Sequence, residues 1–214
     1  MKSTSAPDHE MNVRSDKPDK KKTTRRSLIE WGLIATVALT LYFTGYHTQV
    51  IGTIQRGFLA TGLITPSLSI DYEEMRDASS EFYFADSDYR IQSLAQFEGK
   101  VVFLNVWASW CPPCIAEMPS IANLYEEFKD RDEFVFLLVS MDEDFADAER
   151  FMQSRNMDMP IYHYRNRDRS VYTSDLLPTT YVITPDGKIA MEKAGMAKYD
   201  TRAFKNFLEE LAAR

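Results

Sequence analysis

The chain has 214 residues, of which 44% are hydrophobic and 27% charged, and its formal net charge is −7. This length suits one domain of ordinary size with an additional segment, and an acidic chain lacks the basic surface that nucleic-acid binding needs. The two cysteines are too few for a disulfide framework or for a structural zinc site, which usually takes four Cys or His ligands.

The N-terminal region is basic and leads into an apolar segment. Residues 1–27 hold eight Lys or Arg and four Asp or Glu without apolar periodicity, which predicts a disordered cytoplasmic tail. Residues 28–46 are mainly apolar and long enough to cross a bilayer, so we predict a transmembrane signal-anchor helix. The positive-inside rule then puts the rest of the chain on the periplasmic, extracytoplasmic side of the inner membrane. A cleaved signal peptide is the alternative, and Arg25-Arg26 faintly resembles a twin-arginine signal.

A juxtamembrane segment and linker are predicted for residues 47–80. Residues 50–64 mix small, polar and apolar side chains, and their glycines and Arg56 argue against a second membrane span. This composition favours a helix lying along the outer membrane surface. Residues 66–80 then connect it to the main domain.

Strand and helix patterns alternate over residues 81–214. The pattern Pro185-Asp186-Gly187 predicts a hairpin turn. Strands are predicted over 101–107, 133–140, 160–164, 181–184 and 188–193, and helices over 115–128, 144–156 and 201–211. This alternation predicts an α/β layer fold.

The two cysteines follow a buried strand and begin a helix, in the sequence WASWCPPC. The first turn of a helix has unpaired N–H groups and a partial positive charge, which lower the pKa of a thiol placed there. Cys111 is therefore the predicted nucleophile, and Cys114, one turn on, is the predicted resolving cysteine of a redox-active Cys111–Cys114 disulfide. Pro112 and Pro113 fit this first turn because their missing N–H groups have no partner there.

Three motifs in this order resemble the thioredoxin-like superfamily and, within it, the membrane-anchored TlpA/ResA-type thiol-disulfide oxidoreductases. They are WASWCPPC followed by EMP, the stretch LPTT at residues 177–180, and the turn PDG at residues 185–187. The resemblance extends from about Phe82 to the C-terminus. Residues 82–97 resemble the opening strand pair of the family, with a short helical stretch near Ser93 to Phe97. The resemblance implies a thioredoxin-like fold, a central mixed β-sheet flanked by helices, here preceded by the N-terminal transmembrane helix.

The resemblance also implies roles for residues around the cysteines. Pro178 would have a cis peptide bond and, with the backbone of Leu177, dock an extended substrate. Glu117 would transfer protons to and from Cys114, with a pKa raised by burial. A Glu in the first helical turn that complements the helix dipole is the alternative. Asn105 stands where thioredoxin has a buried Asp, and an amide cannot exchange protons, which strengthens the case for Glu117.

Substrate contacts are predicted for Trp110, Pro112, Pro113 and Leu177, whereas Trp107 is predicted to lie in the core. His163 is predicted to be a strand residue without a catalytic role. No cofactor and no metal site are predicted.

The predicted function is an anchored protein-disulfide oxidoreductase that reduces disulfides of partner proteins, with apocytochrome c among the candidate substrates that the family implies. Its electrons would come from a membrane-bound thiol donor. A disulfide-forming oxidant using the same cysteines is one alternative, because the Pro-Pro pair does not fix the redox direction. A Cu(I) metallochaperone is another, since thiolates favour that ion.

Overall fold

A computed structural model describes residues 20–43, 46–62, 64–68, 75–79, 81–165, 172 and 176–214. The first 19 residues of the predicted tail lie outside this set. The chain divides into two compact units, Met1–Thr44 and Gly45–Arg214.

The first unit contains one described helix, α1 (Lys20–Phe43). It begins inside the segment predicted as a disordered tail, because Lys and Arg are good helix formers and continue directly into the apolar residues. Large apolar side chains, among them Trp31, Leu33 and Phe43, are exposed along it. Within the described residues, no helix is both long and apolar enough to cross a membrane, so the transmembrane helix predicted over residues 28–46 is not supported. The helix ends at Phe43 and includes the basic run and Glu30.

The second unit is built on one seven-stranded mixed sheet, in the order β2-β1-β5-β4-β3-β6-β7. The central pair β3–β4 and the pair β4–β5 are parallel, and the other pairs are antiparallel. The strands are β1 (Tyr83–Ala85), β2 (Ile91–Ser93), β3 (Val101–Trp107), β4 (Phe134–Ser140), β5 (Ile161–Tyr164), β6 (Thr179–Ile183) and β7 (Ile189–Ala194). All of them fall in segments predicted as strands or next to the predicted bounds.

Three helices complete the predicted α/β domain: α3 (Pro112–Phe128), α4 (Phe145–Ser154) and α5 (Arg202–Ala212). A short 3-10 helix, Leu94–Phe97, follows β2 as predicted. The larger apolar core contains the cysteines together with inward residues of α3, α4 and α5, and a second core contains Phe82, Phe84 and Tyr181.

Helix α2 (Tyr46–Ala60) belongs to this second unit and packs against α3. Gly52 is buried at the contact, and a Cβ atom there would lie 3.2 Å from both the Pro112 carbonyl oxygen and the Ile115 Cγ2 atom. The prediction of a helix is therefore right, and its buried face meets the cysteine helix, a contact that the sequence did not predict. The second unit accordingly begins at Gly45, well before the predicted boundary at residue 81.

Part of the predicted linker also pairs with the sheet. The Ala78 N–H donates to the Gly187 carbonyl at 2.8 Å, and the Ile189 N–H donates to the Arg76 carbonyl at 2.9 Å. These bonds add residues 76–78 to the edge of the β6–β7 hairpin.

Candidate active site

The cysteines lie where β3 passes into α3. Cys111 is the N-cap of α3, and its Sγ atom accepts a hydrogen bond from the Cys114 N–H at 3.3 Å. The two are joined by a disulfide. Cys111 retains 4% exposure whereas Cys114 is fully buried, so Cys111 is the sulfur nearer to a partner. This arrangement is the one that the sequence predicts.

A buried carboxylate holds the loop that precedes Cys111. The Asp142 side chain accepts hydrogen bonds from the Ser109 N–H at 3.0 Å, the Ser109 hydroxyl at 2.7 Å and the Ser140 hydroxyl at 2.7 Å. Sequence reasoning missed this cluster. The available signal was that β3 and β4 are parallel, so polar residues after both strands meet at one edge of the sheet.

Of the predicted docking residues, Trp110, Pro112 and Pro113 adjoin the cysteines in the chain, and Leu177 and Pro178 directly precede β6. The Leu177–Pro178 bond is cis, as the resemblance implies, and the Pro178 carbonyl accepts from the Gly195 N–H at 2.8 Å. Leu177 is half-buried against the core that contains both cysteines. Trp110 is 59% exposed, in contrast to the fully buried Trp107. Pro112 and Pro113 are half-buried in the first turn of α3.

Glu117 is fully buried on α3, three residues after Cys114. Its Oε1 atom accepts from the Asn105 Nδ2 atom at 2.8 Å, and its Oε2 atom accepts from the Ala197 N–H at 3.1 Å. Burial raises the pKa of Glu117 to about 8, although these two hydrogen bonds and the charge of Lys193 act in the opposite direction. A raised pKa and a position one helical turn from the resolving cysteine are what a carboxyl would need to exchange protons with that thiol.

A chain of buried polar groups extends from Glu117 across the sheet. Asn105 on β3 lies opposite Thr180 on β6, and its Nδ2 atom also donates to the Thr180 Oγ1 atom at 2.8 Å. The Tyr199 hydroxyl donates to the same Oγ1 atom at 2.8 Å. Thr180 is part of the LPTT motif, but neither it nor Tyr199 was predicted to lie near Glu117, since nothing local to either residue marks it as a neighbour of that carboxyl.

His163 lies on β5, half-buried, with its ring stacked on Phe145 at a centroid distance of 5.3 Å. Burial lowers the pKa of His163. In the part of the chain that the structure describes, no group of three or more His, Cys, Asp or Glu side chains is arranged to hold a metal ion.

The sequence of this chain matches a known protein family. The Redoxin family matches residues 73–208, more than half of the chain. The chain belongs to the Redoxin family. The match includes the cysteine pair, Glu117, Pro178 and the Asn105–Thr180–Tyr199 group.

Two similar relatives of this Redoxin chain are both named thiol-disulfide oxidoreductase ResA. The one from Oceanobacillus iheyensis is 32% identical over 141 residues, which cover 64% of this chain and 72% of that protein. The one from Bacillus subtilis is 29% identical over 177 residues, which cover 81% of this chain and 88% of that protein. The TlpA/ResA-type resemblance is thereby confirmed, and the chain is a protein-disulfide oxidoreductase.

Solved structures agree on the fold. A DsbF homologue from Corynebacterium diphtheriae superposes with a TM-score of 0.56 at 21% identity, covering 70% of this chain and 95% of that one. A thiol:disulfide interchange protein of the thioredoxin family from Chlorobium tepidum gives a TM-score of 0.52 at 23% identity, covering 64% of this chain and 97% of that one. The predicted thioredoxin-like α/β fold is therefore confirmed.

Proposed function

We propose that this Redoxin chain reduces disulfide bonds of partner proteins outside the cytoplasm. The observation that carries the proposal is the placement of Cys111 at the N-terminus of α3 with the buried, high-pKa Glu117 one turn beyond Cys114. A reductant of this kind must activate its second thiol after the first has reacted, and Glu117 is placed to take that proton.

The exchange proceeds in two displacements. In the dithiol form, the Cys111 thiolate attacks one sulfur of the partner disulfide, and the other partner sulfur leaves as a thiolate. Glu117 in its ionised form, which is the minority form at neutral pH because of the raised pKa, then takes the proton of the Cys114 thiol. The Cys114 thiolate attacks the Cys111 sulfur. The second partner thiolate leaves, so two electrons pass to the partner and the Cys111–Cys114 disulfide remains.

The surface around Cys111 would receive the partner. The Leu177–Pro178 bond is cis, Leu177 packs against the core that contains both cysteines, and Trp110 offers an exposed indole next to Cys111. We infer that an extended partner segment lies along Leu177 and contacts Trp110, Pro112 and Pro113. Aromatic side chains are common anchors in such interfaces.

The cellular setting is part of the proposal. The eight basic residues among the first 27 and the exposed apolar side chains of α1 support attachment of the N-terminal region to the inner membrane. The catalytic domain would then work on the extracytoplasmic side, be re-reduced by a membrane-bound thiol donor, and serve partners such as those of cytochrome c maturation. Cell fractionation of the full chain, with protease applied to intact cells, tests this setting. A domain in the cytosolic fraction would overturn it.

The redox potential of the Cys111/Cys114 pair tests the direction of electron flow. We expect the full chain, equilibrated with dithiothreitol or glutathione buffers, to give a potential near or below about −270 mV, the thioredoxin range. A value near about −120 mV would assign the same cysteines to disulfide formation. A Cys114→Ala variant should accumulate a mixed disulfide with partners through Cys111, whereas Cys111→Ala, the matched control, should not.

A further inference from the structure

Both oxygens of Glu117 face hydrogen-bond donors. Oε1 faces the Asn105 Nδ2 group and Oε2 faces the Ala197 N–H. Such surroundings suit a carboxylate, because a protonated carboxyl carries an O–H that neither donor can accept. Yet the group is fully buried, and with a pKa of about 8 it holds a proton through much of the neutral range. The acid form therefore needs an acceptor within this core.

A candidate acceptor is the other end of the Asn105 amide, whose nitrogen already bonds to Glu117. The Asn105 Oδ1 atom is buried and has no hydrogen-bond partner among the described residues. The amide oxygen and nitrogen are nearly equal in size, and the terminal torsion of Asn is broad and roughly two-fold. Half a turn would bring Oδ1 to the position of Nδ2. The Ala197 N–H belongs to the backbone and cannot reverse in this way.

Thr180 can hold the amide in either orientation. Its hydroxyl has one hydrogen and two acceptor positions, and both positions are filled by Asn105 Nδ2 and Tyr199 Oη at 2.8 Å each. After a half-turn of the amide, the Thr180 hydrogen would donate to Oδ1 while the bond from Tyr199 persists. Burial raises the pKa of Tyr199 well above its usual value, so its hydroxyl remains a donor.

We propose that Asn105 is a positioning residue whose side-chain amide turns over when Glu117 binds or releases its proton, with the Thr180 hydroxyl bonding it in both orientations. As the Cys114 thiol passes its proton to Glu117, the N–H bonds from Asn105 to Glu117 and Thr180 break. Bonds from the new Glu117 O–H and from the Thr180 O–H to Oδ1 replace them. Asn105 only rotates and exchanges no proton. The proton stays on Glu117 until it returns to the Cys114 thiolate.

The inference rests on the proposed proton transfer between Cys114 and Glu117. The other titratable groups that face this carboxyl are Lys193 on β7, whose charge lowers its pKa, and Tyr199, which precedes α5. Lys193 lies opposite Thr180 in the sheet, in the same cross-strand row as Asn105. Its charge would favour release of the proton in either orientation of the amide.

Nuclear magnetic resonance of the full chain in its disulfide form tests the turnover directly. The carboxyl carbon of Glu117 and the side-chain N–H protons of Asn105 would be followed from about pH 6 to about pH 10. Asn105→Leu assigns the amide signals, and Glu117→Gln removes the titration. We expect the amide signals to leave their hydrogen-bonded shifts on acidification, with the midpoint of the Glu117 carbon.

The outcomes separate the inference from the proposed function. An Asn105 amide that keeps its hydrogen-bonded shifts while Glu117 titrates would overturn the turnover and leave proton transfer intact. A Glu117 carboxyl that does not titrate in this range would overturn both.

Kinetics supply a second test with a matched control. Thr180→Val removes the hydroxyl that bonds both orientations, whereas Thr184→Val removes a buried hydroxyl of the same strand region that bonds to Asp186 and Lys188. For Thr180→Val we expect the intramolecular attack by Cys114 to slow by about tenfold and its pH midpoint to move. Thr184→Val should lower stability and leave that midpoint in place. Equal pH profiles in the two variants would contradict the proposal.

Discussion

Glu117 makes stability depend on pH with a definite sign. Below about pH 4.5 its carboxyl is protonated in the folded and the unfolded chain, and between that value and about 8 only the folded chain keeps the proton. The stability that this proton provides is lost as the pH rises through that window, with no further loss above it. From about 1.4 kcal/mol per pKa unit, the loss amounts to a few kcal/mol.

A Glu117→Gln variant should lack this loss. We expect the wild-type disulfide form to become less resistant to urea from about pH 5 to about pH 8, while the variant changes less over the same range. The measurement is the urea midpoint at several pH values, with the disulfide form used so that no thiol titrates. Parallel curves for the two proteins would show that the Glu117 pKa is not raised.

Asp142 is predicted to matter through the loop it holds. Asp142→Ala leaves the Ser109 N–H and the Ser109 and Ser140 hydroxyls without their shared acceptor, which should cost about 2–4 kcal/mol of unfolding free energy. Because Ser109 lies two residues before Cys111, exchange with a small disulfide should also slow. Glu143→Ala, at the exposed neighbouring position, should change neither quantity. A comparable loss in both variants would contradict the role of the cluster.

The sequence predicts contacts between site residues that are close together in the chain and misses contacts between residues that are far apart in it. Cys111, Cys114 and Glu117 lie within two helical turns, so their spacing alone places them together. Asn105, Thr180 and Tyr199 meet through the β3–β6 register and a loop from the end of the chain. The pairing register of two strands depends on the whole sheet, so it cannot be predicted from the sequence around any one of these residues.

At the scale of elements, the contact between α2 and α3 depends on one glycine. Gly52→Ala places a methyl group 3.2 Å from the Pro112 carbonyl oxygen and the Ile115 side chain, so the atoms at this contact must shift by a few tenths of an ångström. Gly57→Ala is the matched control, because no atom lies within 4 Å of its added Cβ and alanine favours helix by about 1 kcal/mol. We expect a lower melting temperature for Gly52→Ala and an equal or higher one for Gly57→Ala.

Hydrogen exchange locates the effect. Amides of α2 and of the first turn of α3 should exchange faster in Gly52→Ala only. Uniform exchange in both variants would show that the close approach of the helices does not contribute.

The helical pattern of α2 does not predict which part of the protein its buried face packs against. Its amphipathic sequence predicts a helix with one buried face but does not name the surface that covers it. A hint lies in α3, where five consecutive residues, Cys114 to Met118, are all buried. Successive helical residues point about 100° apart, so such a run requires cover on every side. The apolar pair Ile115 and Ala116 was the available signal.

The charge of the whole molecule should select among partners. Residues 71–214 hold 16 basic and 27 acidic residues, so the catalytic unit is surrounded by negative potential. A peptide disulfide flanked by lysines should react faster than the same peptide flanked by glutamates, by about tenfold at low salt. The ratio should fall towards one as salt is added. Equal rates for the two peptides at low salt would show that the net charge of the catalytic unit does not affect association at Cys111.

The cover that α2 gives to α3 has a practical consequence for anyone who trims this protein. A fragment that starts at residue 81 keeps every strand of the sheet and both cysteines, and it matches the boundary that the sequence pattern suggests. It would also uncover Ile115, which is now 2% exposed and lies against Gly52 of α2, as an apolar patch one residue after Cys114. Self-association through that apolar patch would block the surface around Cys111 where a partner protein would bind. The shortest fragment that keeps the native surface of α3 therefore begins before α2.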